Sequence, residues 1–413
     1  MIVTRLAPVS AEIPLVQVLA DLAGSDLVPF DPETVAFGQY LSERLFADPV
    51  ARGLPEVAAL AFRLRGAATA DLRRHFETLE GEAVVRVPRG LVFHIAPANV
   101  ATMFVHSWWL SALCGNRNVV RVSDRSGEAA AIVLRLMGKC LSEPAFLRLN
   151  RATALIGYPH DGAVNGALSL AADLRVVWGG DGAIETLRQS PLRPDAVELV
   201  FPDRRSLAVI AAAAYAGLTP AGRDGLAERF FLDAYGFDQM ACSSPLLLAW
   251  VGEAETAVAA AADFWPRLAG QARRRGYDVS AGMALARVTE AARLSLDGGV
   301  GQILRVGDEV VVADGTPPSL RRSGVGGGLF QQARLNRLDD LTGLIDRRVQ
   351  TIGHFGFTRA DLVGLARRLN GRGADRLVPI GQALDFSPLW DGHDLLAGMT
   401  RLVHVVGASQ SPC

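Results

Sequence analysis

The sequence predicts an α/β protein built on parallel sheets and divided into two domains. Short β-branched or apolar runs alternate along the chain with longer segments of helical spacing, as strand–helix–strand units do. Several of the strand-like runs, "PLLLAWV" (245–251) above all, are apolar without alternation, which suits a sheet covered on both faces. At 413 residues, 50% of them apolar, the chain can bury two cores.

Taken in order, residues 56–79 ("EVAALAFRLRGAATADLRRHFETL") carry apolar positions at helical spacing and predict a helix. "EAVVRVPRGLVFHIAP" (82–97) reads as two extended runs broken at Pro-Arg-Gly. "WWLSALCGN" (108–116) is a buried helix closed by Gly115 and Asn116. "VVRVS" (119–123) is a β-branched strand, and "SDRSGEAAAIVLRLMGKCL" (123–141) opens with capping residues and continues as a helix. "ATALIGY" (152–158), "LRVVWGG" (174–180) and "VELVFP" (197–202) repeat the strand signal. The alanine-rich "SLAVIAAAAYAG" and a helix around 221–235 lead to "FDQMACSSP" (237–245). "PLLLAWVG" is then a strand and "EAETAVAAAADFWPRLAGQARRRG" (253–276) a helix. "SGVGGGL" (323–329) reads as a loop between two parts of the second domain; it is not a GxGxxG fingerprint. No repeat of 20–50 residues is visible.

Composition excludes several classes. A formal net charge of −1 and the lack of a basic run argue against a nucleic-acid partner held by phosphate contacts. The first twenty residues lack the charged and apolar regions of a secretory signal, and no uncharged 18-residue apolar run predicts a membrane span. Cysteines at 114, 140, 242 and 413 are scattered without a CxxC, so neither a disulfide framework nor a metal site is expected, and a reducing cytoplasm fits best.

Four stretches carry candidate chemistry. Cys242 is either a packed core thiol or a nucleophile. Its polar neighbours Asp238, Gln239, Ser243 and Ser244, and the small residues around it, favour the second. Its backbone N–H could donate to a developing oxyanion, and the Asn99 side-chain amide, in "HIAPANVAT", is a second such donor or else a turn residue. Arg121 and Ser123 end a strand where parallel sheets bind ligands, or simply cap a helix. Gly179 and Gly180, in "VVWGGDG", either admit a diphosphate to a helix N-terminus or make a plain turn. His94, His106 and His354 are candidate proton donors by residue type alone; each has the structural reading as its alternative.

In this order, "GLVFHIAPANV", "GNRNVVRVS", "VVWGGDGAIETL", "DQMACSSP", "VQTIGHFG" and "DRLVPIGQALDFSPLWDG" resemble the aldehyde dehydrogenase superfamily, and within it the LuxC-type acyl-CoA reductases. The resemblance spans roughly residues 85–405. It implies a Rossmann-like cofactor domain over residues 1–205, joined by the tail 390–413, and an α/β catalytic domain over 206–389. It assigns Cys242 as the acyl-accepting nucleophile and Asn99 as the oxyanion-hole residue. Arg121 and Ser123 fall at the adenosine ribose, and Gly179 and Gly180 beside the cofactor diphosphate. Arg121 stands where the superfamily usually has lysine; this implies NADPH, with NADH open as the alternative.

Two departures stand out. Glu198, in "VELVFPDRRS", lies near the place of the water-activating glutamate, but without that motif's glycines, and the "ExFGP" segment has no clear counterpart. The resemblance therefore implies an NADPH-dependent reductase that converts an acyl thioester, on coenzyme A or an acyl-carrier protein, to an aldehyde. A hydrolytic aldehyde dehydrogenase using Glu198, and a cofactor-free acyl-transfer protein, are the alternatives. It also implies a homo-oligomer, dimer or tetramer.

Overall fold

The computed structural model describes residues 1–24, 26–97, 100–159, 161–296, 300–315 and 325–407. The chain divides into two compact units, Met1–Pro202 with His393–Cys413, and Asp203–Gly392.

The first unit contains strands β1 (Ile2–Ala7), β2 (Ala11–Pro14), β3 (Val84–Pro88), β4 (Leu91–Ile95), β5 (Arg117–Arg121), β6 (Thr153–Gly157), β7 (Leu174–Trp178) and β8 (Val197–Phe201). Seven of them form one sheet in the order β2-β1-β6-β5-β4-β7-β8. β6, β5, β4, β7 and β8 are parallel, and β1 runs antiparallel to β2 and β6. β4 and β7 are buried at every position, as expected of strands covered by helices on both faces. From β4 the chain winds to β5 and β6 on one side, then returns to β7 and β8 on the other. That reversal places a topological switch point between β4 and β7, where open α/β sheets bind ligands at the strands' carboxyl ends.

The helix Met103–Leu113 is buried from Phe104 to Leu113, consistent with its lack of a polar face. The helix expected over 56–79 is two helices, Pro55–Arg63 and Gly66–Glu77. Arg65 between them adopts an extended backbone, and Gly66 restarts the helix, so an apolar period that ran on in sequence is broken in space. β3 pairs antiparallel with the tail strand Thr400–His404, which the sequence reading left unassigned.

The second unit has strands β9 (Arg205–Ala211), β10 (Pro245–Val251), β11 (Gln302–Val306), β12 (Val310–Asp314), β13 (Leu329–Leu335), β14 (Val349–Phe355) and β15 (Arg376–Pro379). They form a sheet in the order β11-β12-β13-β10-β9-β14-β15, parallel except for β11. One face carries an aromatic core in which Phe230, from the helix Pro220–Tyr235, meets Phe264 and Trp265, from the helix Ala254–Arg274, and Phe330 of β13. Trp250 of β10 packs edge-on against Phe264. β9 pairs with both β10 and β14, so the amino ends of the three strands are neighbours, and Cys242 lies on the loop that enters β10.

Candidate active site

The loop Phe237–Ser244 joins the helix Pro220–Tyr235 to β10. Asp238 and Gln239 both have left-handed backbones, with φ of 52° and 62°. Each costs about 1–2 kcal/mol for a residue with a Cβ, so the fold must hold them there. Gln239 does so from inside. Its Nε2 donates to the carbonyls of Pro245 (3.0 Å) and Leu329 (2.9 Å), and its Oε1 accepts from Gly328 N–H (3.0 Å). Gly327 N–H donates to Asp238 O (2.9 Å), and Ser244 Oγ donates to Asp233 O (2.8 Å).

The glycine run is therefore more than a connector. A Cβ on Gly326 would stand 1.7 Å from Asp238 O, and one on Gly328 2.1 Å from Glu309 O. Only glycine lets that backbone come close enough to seat the loop. The polar neighbours that suggested a reactive cysteine have a structural task as well: Gln239 and Ser244 are buried and bonded to backbone.

Cys242 itself is half-buried. Its carbonyl accepts from Ser206 Oγ (2.7 Å), and that hydroxyl in turn accepts from Thr351 N–H (3.1 Å). Its Sγ accepts from Gln350 Nε2 at 3.3 Å. The same Nε2 donates to Asp391 Oδ1, and Thr351 Oγ1 donates to Gln350 Oε1 (3.3 Å). Burial, reinforced by the Asp391 charge, pushes the Cys242 thiol up to about 11; the Gln350 hydrogen bond and the Arg204 charge oppose this. The resting group is thus a neutral thiol near pH 7. Cys114 and Cys140 are buried core thiols, Cys140 pushed up to about 11 by burial. Among the described residues, no group of three or more His, Cys, Asp or Glu side chains is arranged to hold a metal ion.

The three histidines divide by environment. His94 is fully buried in a chain that starts at Trp178 Nε1. That indole donates to Ser107 Oγ (2.9 Å), Ser107 contacts His94 Nδ1 (2.7 Å), and His94 Nε2 contacts Asn118 Oδ1 (3.0 Å). Asn118 Oδ1 can only accept, so Nε2 carries the ring proton and Nδ1 accepts from Ser107. Burial lowers His94 to about 4 and His106, beside Arg63, to about 3, so both are neutral. His354 is at the far end of β14, four residues beyond Gln350. At about 3.3 Å per residue, roughly 13 Å of strand separates it from the Cys242 end.

In the first unit, Arg121, Gly179 and Gly180 sit at the carboxyl ends of β5 and β7. Ser123 lies just beyond β5, where its Oγ accepts from Arg125 N–H (3.2 Å) in the turn ahead of the next helix. The Arg121 guanidinium lies 4.9 Å from the Tyr158 ring centroid and donates to Tyr158 O (3.4 Å). Its Nε is buried with no partner among the described residues. Gly180 caps the helix Asp181–Arg188 without a side-chain bond, so its first-turn N–H groups are not capped from that position. Asp181, in that first turn, opposes an anion there. An unfilled guanidinium donor and an uncapped helix start beside the switch point fit a dinucleotide. Asn99 lies outside the described residues.

Glu198 is fully engaged. Its Oε1 accepts from Arg175 Nε (3.0 Å) and Nη2 (2.6 Å), and its Oε2 from Arg188 Nε (2.9 Å). Arg175 is buried at the second position of β7, and Glu198 is its direct partner on β8. The carboxylate neutralises a buried cation, so both of its oxygens are committed. Glu198→Gln is expected to lower the melting temperature while keeping turnover within about threefold, since breaking such a pair costs about 3 kcal/mol or more. A turnover loss of 10²-fold without loss of stability would restore it as a catalytic base.

Residues 69–273 match the model of the acyl-CoA reductase (LuxC) family. Over that span the chain is similar to this family. Its fold is that of the aldehyde dehydrogenases. Aldehyde dehydrogenase 21 from Physcomitrella patens superimposes with a TM-score of 0.68 at 11% identity, covering 100% of this chain and 96% of the other. KauB from Pseudomonas aeruginosa gives 0.65 at 13% identity, covering 97% and 91%. A variant of the P. syringae indole-3-acetaldehyde dehydrogenase AldA, solved in complex with NAD+, gives 0.61 at 13%, covering 97% and 91%. Comparison by sequence with curated proteins finds no match. That similarity supports an oxidoreductase acting on aldehydes, and no helix among the described residues is long and apolar enough to cross a membrane.

Sequence reasoning missed Gln350, Asp391 and the seat made by Gly326–Gly328. "VQTIG" and "WDG" stood out only as parts of a resemblance, and nothing local in either shows that they meet at a sulfur.

Proposed function

We propose that this protein reduces an acyl thioester to an aldehyde through an acyl group carried on Cys242, with NADPH as reductant. The observation that carries the reading is the Cys242 loop. A half-buried cysteine is held on a loop that spends two left-handed residues and three close-packed glycines on its shape, and an amide N–H is aimed at its sulfur. A core thiol needs none of this.

Sulfur attack on the thioester carbonyl forms the Cys242–acyl bond and breaks the bond to the donor thiol, which leaves with the proton that Cys242 gave up. Asn99 and the Cys242 N–H are the proposed oxyanion donors, each worth about 3 kcal/mol in such sites. The dinucleotide, with Arg121, Gly179 and Gly180 as its proposed contacts, supplies the hydride. The thiohemiacetal on Cys242 then collapses, releasing aldehyde and, after protonation, the free thiol. The net change is thioester, NADPH and one proton to aldehyde, free thiol and NADP+. Commitment of Glu198 to Arg175 and Arg188 supports reduction over hydrolysis, because both oxygens of that carboxylate are held by cations and neither is left to activate a water. NAD+ in the AldA complex supports a nicotinamide cofactor, and Arg121 favours the phosphorylated form.

The test is loss of NADPH absorbance with a panel of acyl-CoA thioesters of rising chain length. Thioester-dependent oxidation is the expected result. Oxidation of aldehydes by NADP+ to free acids, without thioester reduction, would overturn the reading.

A further inference from the structure

We propose that Gln350 is a catalytic residue of this chain, its amide N–H holding the Cys242 sulfur as the carbon–sulfur bond forms and breaks, and that Asp391 is the positioning residue that fixes the amide. The assignment rests on Cys242 being the nucleophile proposed above.

The geometry begins with what each group can do. Gln350 is fully buried on β14, two strands from the Cys242 loop across β9. A primary amide has two N–H donors and one acceptor oxygen, and an ionised carboxylate only accepts. With Asp391 on one side, the nitrogen must face the carboxylate, because the oxygen would meet it as acceptor against acceptor. The second N–H is then directed at Cys242 Sγ, 3.3 Å away, and the oxygen is left to Thr351 Oγ1 at 3.3 Å. All three capacities of the amide are used, so its orientation is determined.

Asp391 is in turn built in. It has a φ of 50°, is followed by Gly392 at 75°, and is buried. Trp390 before it stacks on Phe386 (5.2 Å) and carries the Arg376 guanidinium 4.4 Å from its ring centroid. Arg376 is tied to the carbonyls of Ala383 (3.2 Å) and Asp385 (2.8 Å). The "WDG" stretch therefore has a task at the sulfur that sequence alone did not reveal.

The chemistry calls for such a donor. When the thiohemiacetal collapses, the C–S bond breaks and the electron pair stays on Cys242 Sγ as a thiolate. That thiolate appears in a buried place next to a carboxylate, so charge alone disfavours it. The charged groups around it are Asp391, Arg204, which is paired with Asp375, and Arg376. A neutral N–H stabilises the sulfur anion without adding another charge to neutralise. Asp391 is thus not an activator by charge; its contribution comes through the amide it orients.

The experiment measures alkylation of Cys242 by iodoacetamide against pH in the full-length chain, with Cys242→Ala giving the background from the other cysteines. In Gln350→Met, of similar volume but without a donor, alkylation at pH 8 should slow by about tenfold as the profile moves to higher pH. With acyl-CoA, kcat should fall by about tenfold or more while the KM for NADPH stays constant. A wild-type alkylation profile in Gln350→Met overturns the proposal.

Gln350→Met leaves Asp391 without its amide, so Gln350→Met/Asp391→Asn is the second variant, which removes that carboxylate as well. Asp391→Asn alone should lower kcat, and should lower it no further in the Gln350→Met background. Full additivity of the two losses overturns the positioning role of Asp391. Alkylation needs no substrate, so failure of the wild type to reduce any thioester overturns the reaction and leaves the profile to decide on Gln350.

Discussion

Cys242→Ala is expected to abolish thioester-dependent NADPH oxidation, by roughly 10⁴-fold or more, while leaving NADPH binding nearly unchanged. Two of the polar side chains beside it are committed elsewhere: Ser244 donates to Asp233 O, and Gln239 is spent on three backbone partners. The substitution removes only the sulfur. Gln239, Ser244 and Gly327 hold the loop through bonds that do not involve it, and Ser206 grips the residue through its carbonyl. The variant should therefore fold, and fluorescence titration with NADPH checks that it does. Wild-type turnover in Cys242→Ala would remove the covalent mechanism altogether.

The second large effect is at a residue with no chemistry. Gly326→Ala puts a methyl group 1.7 Å from Asp238 O and 3.1 Å from Met240 Sδ. The carbonyl has to move by more than 1 Å, and it already accepts from Gly327 N–H. Asp238 and Gln239 are the left-handed pair that sets the path to Cys242, so the sulfur moves with them. Misplacement of a reacting atom by about 1 Å can cost roughly 10²-fold in rate, and kcat should fall by that much, with NADPH affinity unchanged. Gly282→Ala is the control, because its Cβ would meet nothing within 4 Å. A Gly326→Ala variant with kcat within threefold of wild type would show that the loop adjusts freely.

Much of the fold was legible before any coordinates. Apolar runs such as "LRVVW" and "PLLLAWV" declare parallel strands, and β7 and β10 are buried throughout. Arg175 is the informative exception: a charge in a buried strand reads as an error until β8 brings Glu198 opposite it. The first 55 residues, which hold β1, β2 and the helix Pro32–Ala47, carry no element that the sequence analysis assigns. β2 is four residues long with a mostly exposed pattern, and such an edge strand has no periodicity to find.

Local sequence also overstated some signals. In sequence Gln239 and Ser244 look like polar company for a reactive cysteine; in the structure they fasten the loop. The glycines of "VGGGL" were read as a connector, and Gly326 and Gly328 proved to be places where a neighbouring backbone leaves no room for a Cβ.

By itself the sequence determined the strand–helix alternation, the two parallel sheets and the cysteine worth watching, because periodicity and residue type are local properties. Tertiary structure alone decided that Glu198 is locked in an ion pair, that His94 and His106 are neutral members of the core, and that Gln350 and Asp391 meet at Cys242. Those facts depend on contacts between residues 10 to 108 positions apart in the chain, and the fold, not spacing along the sequence, brings such residues within hydrogen-bonding distance.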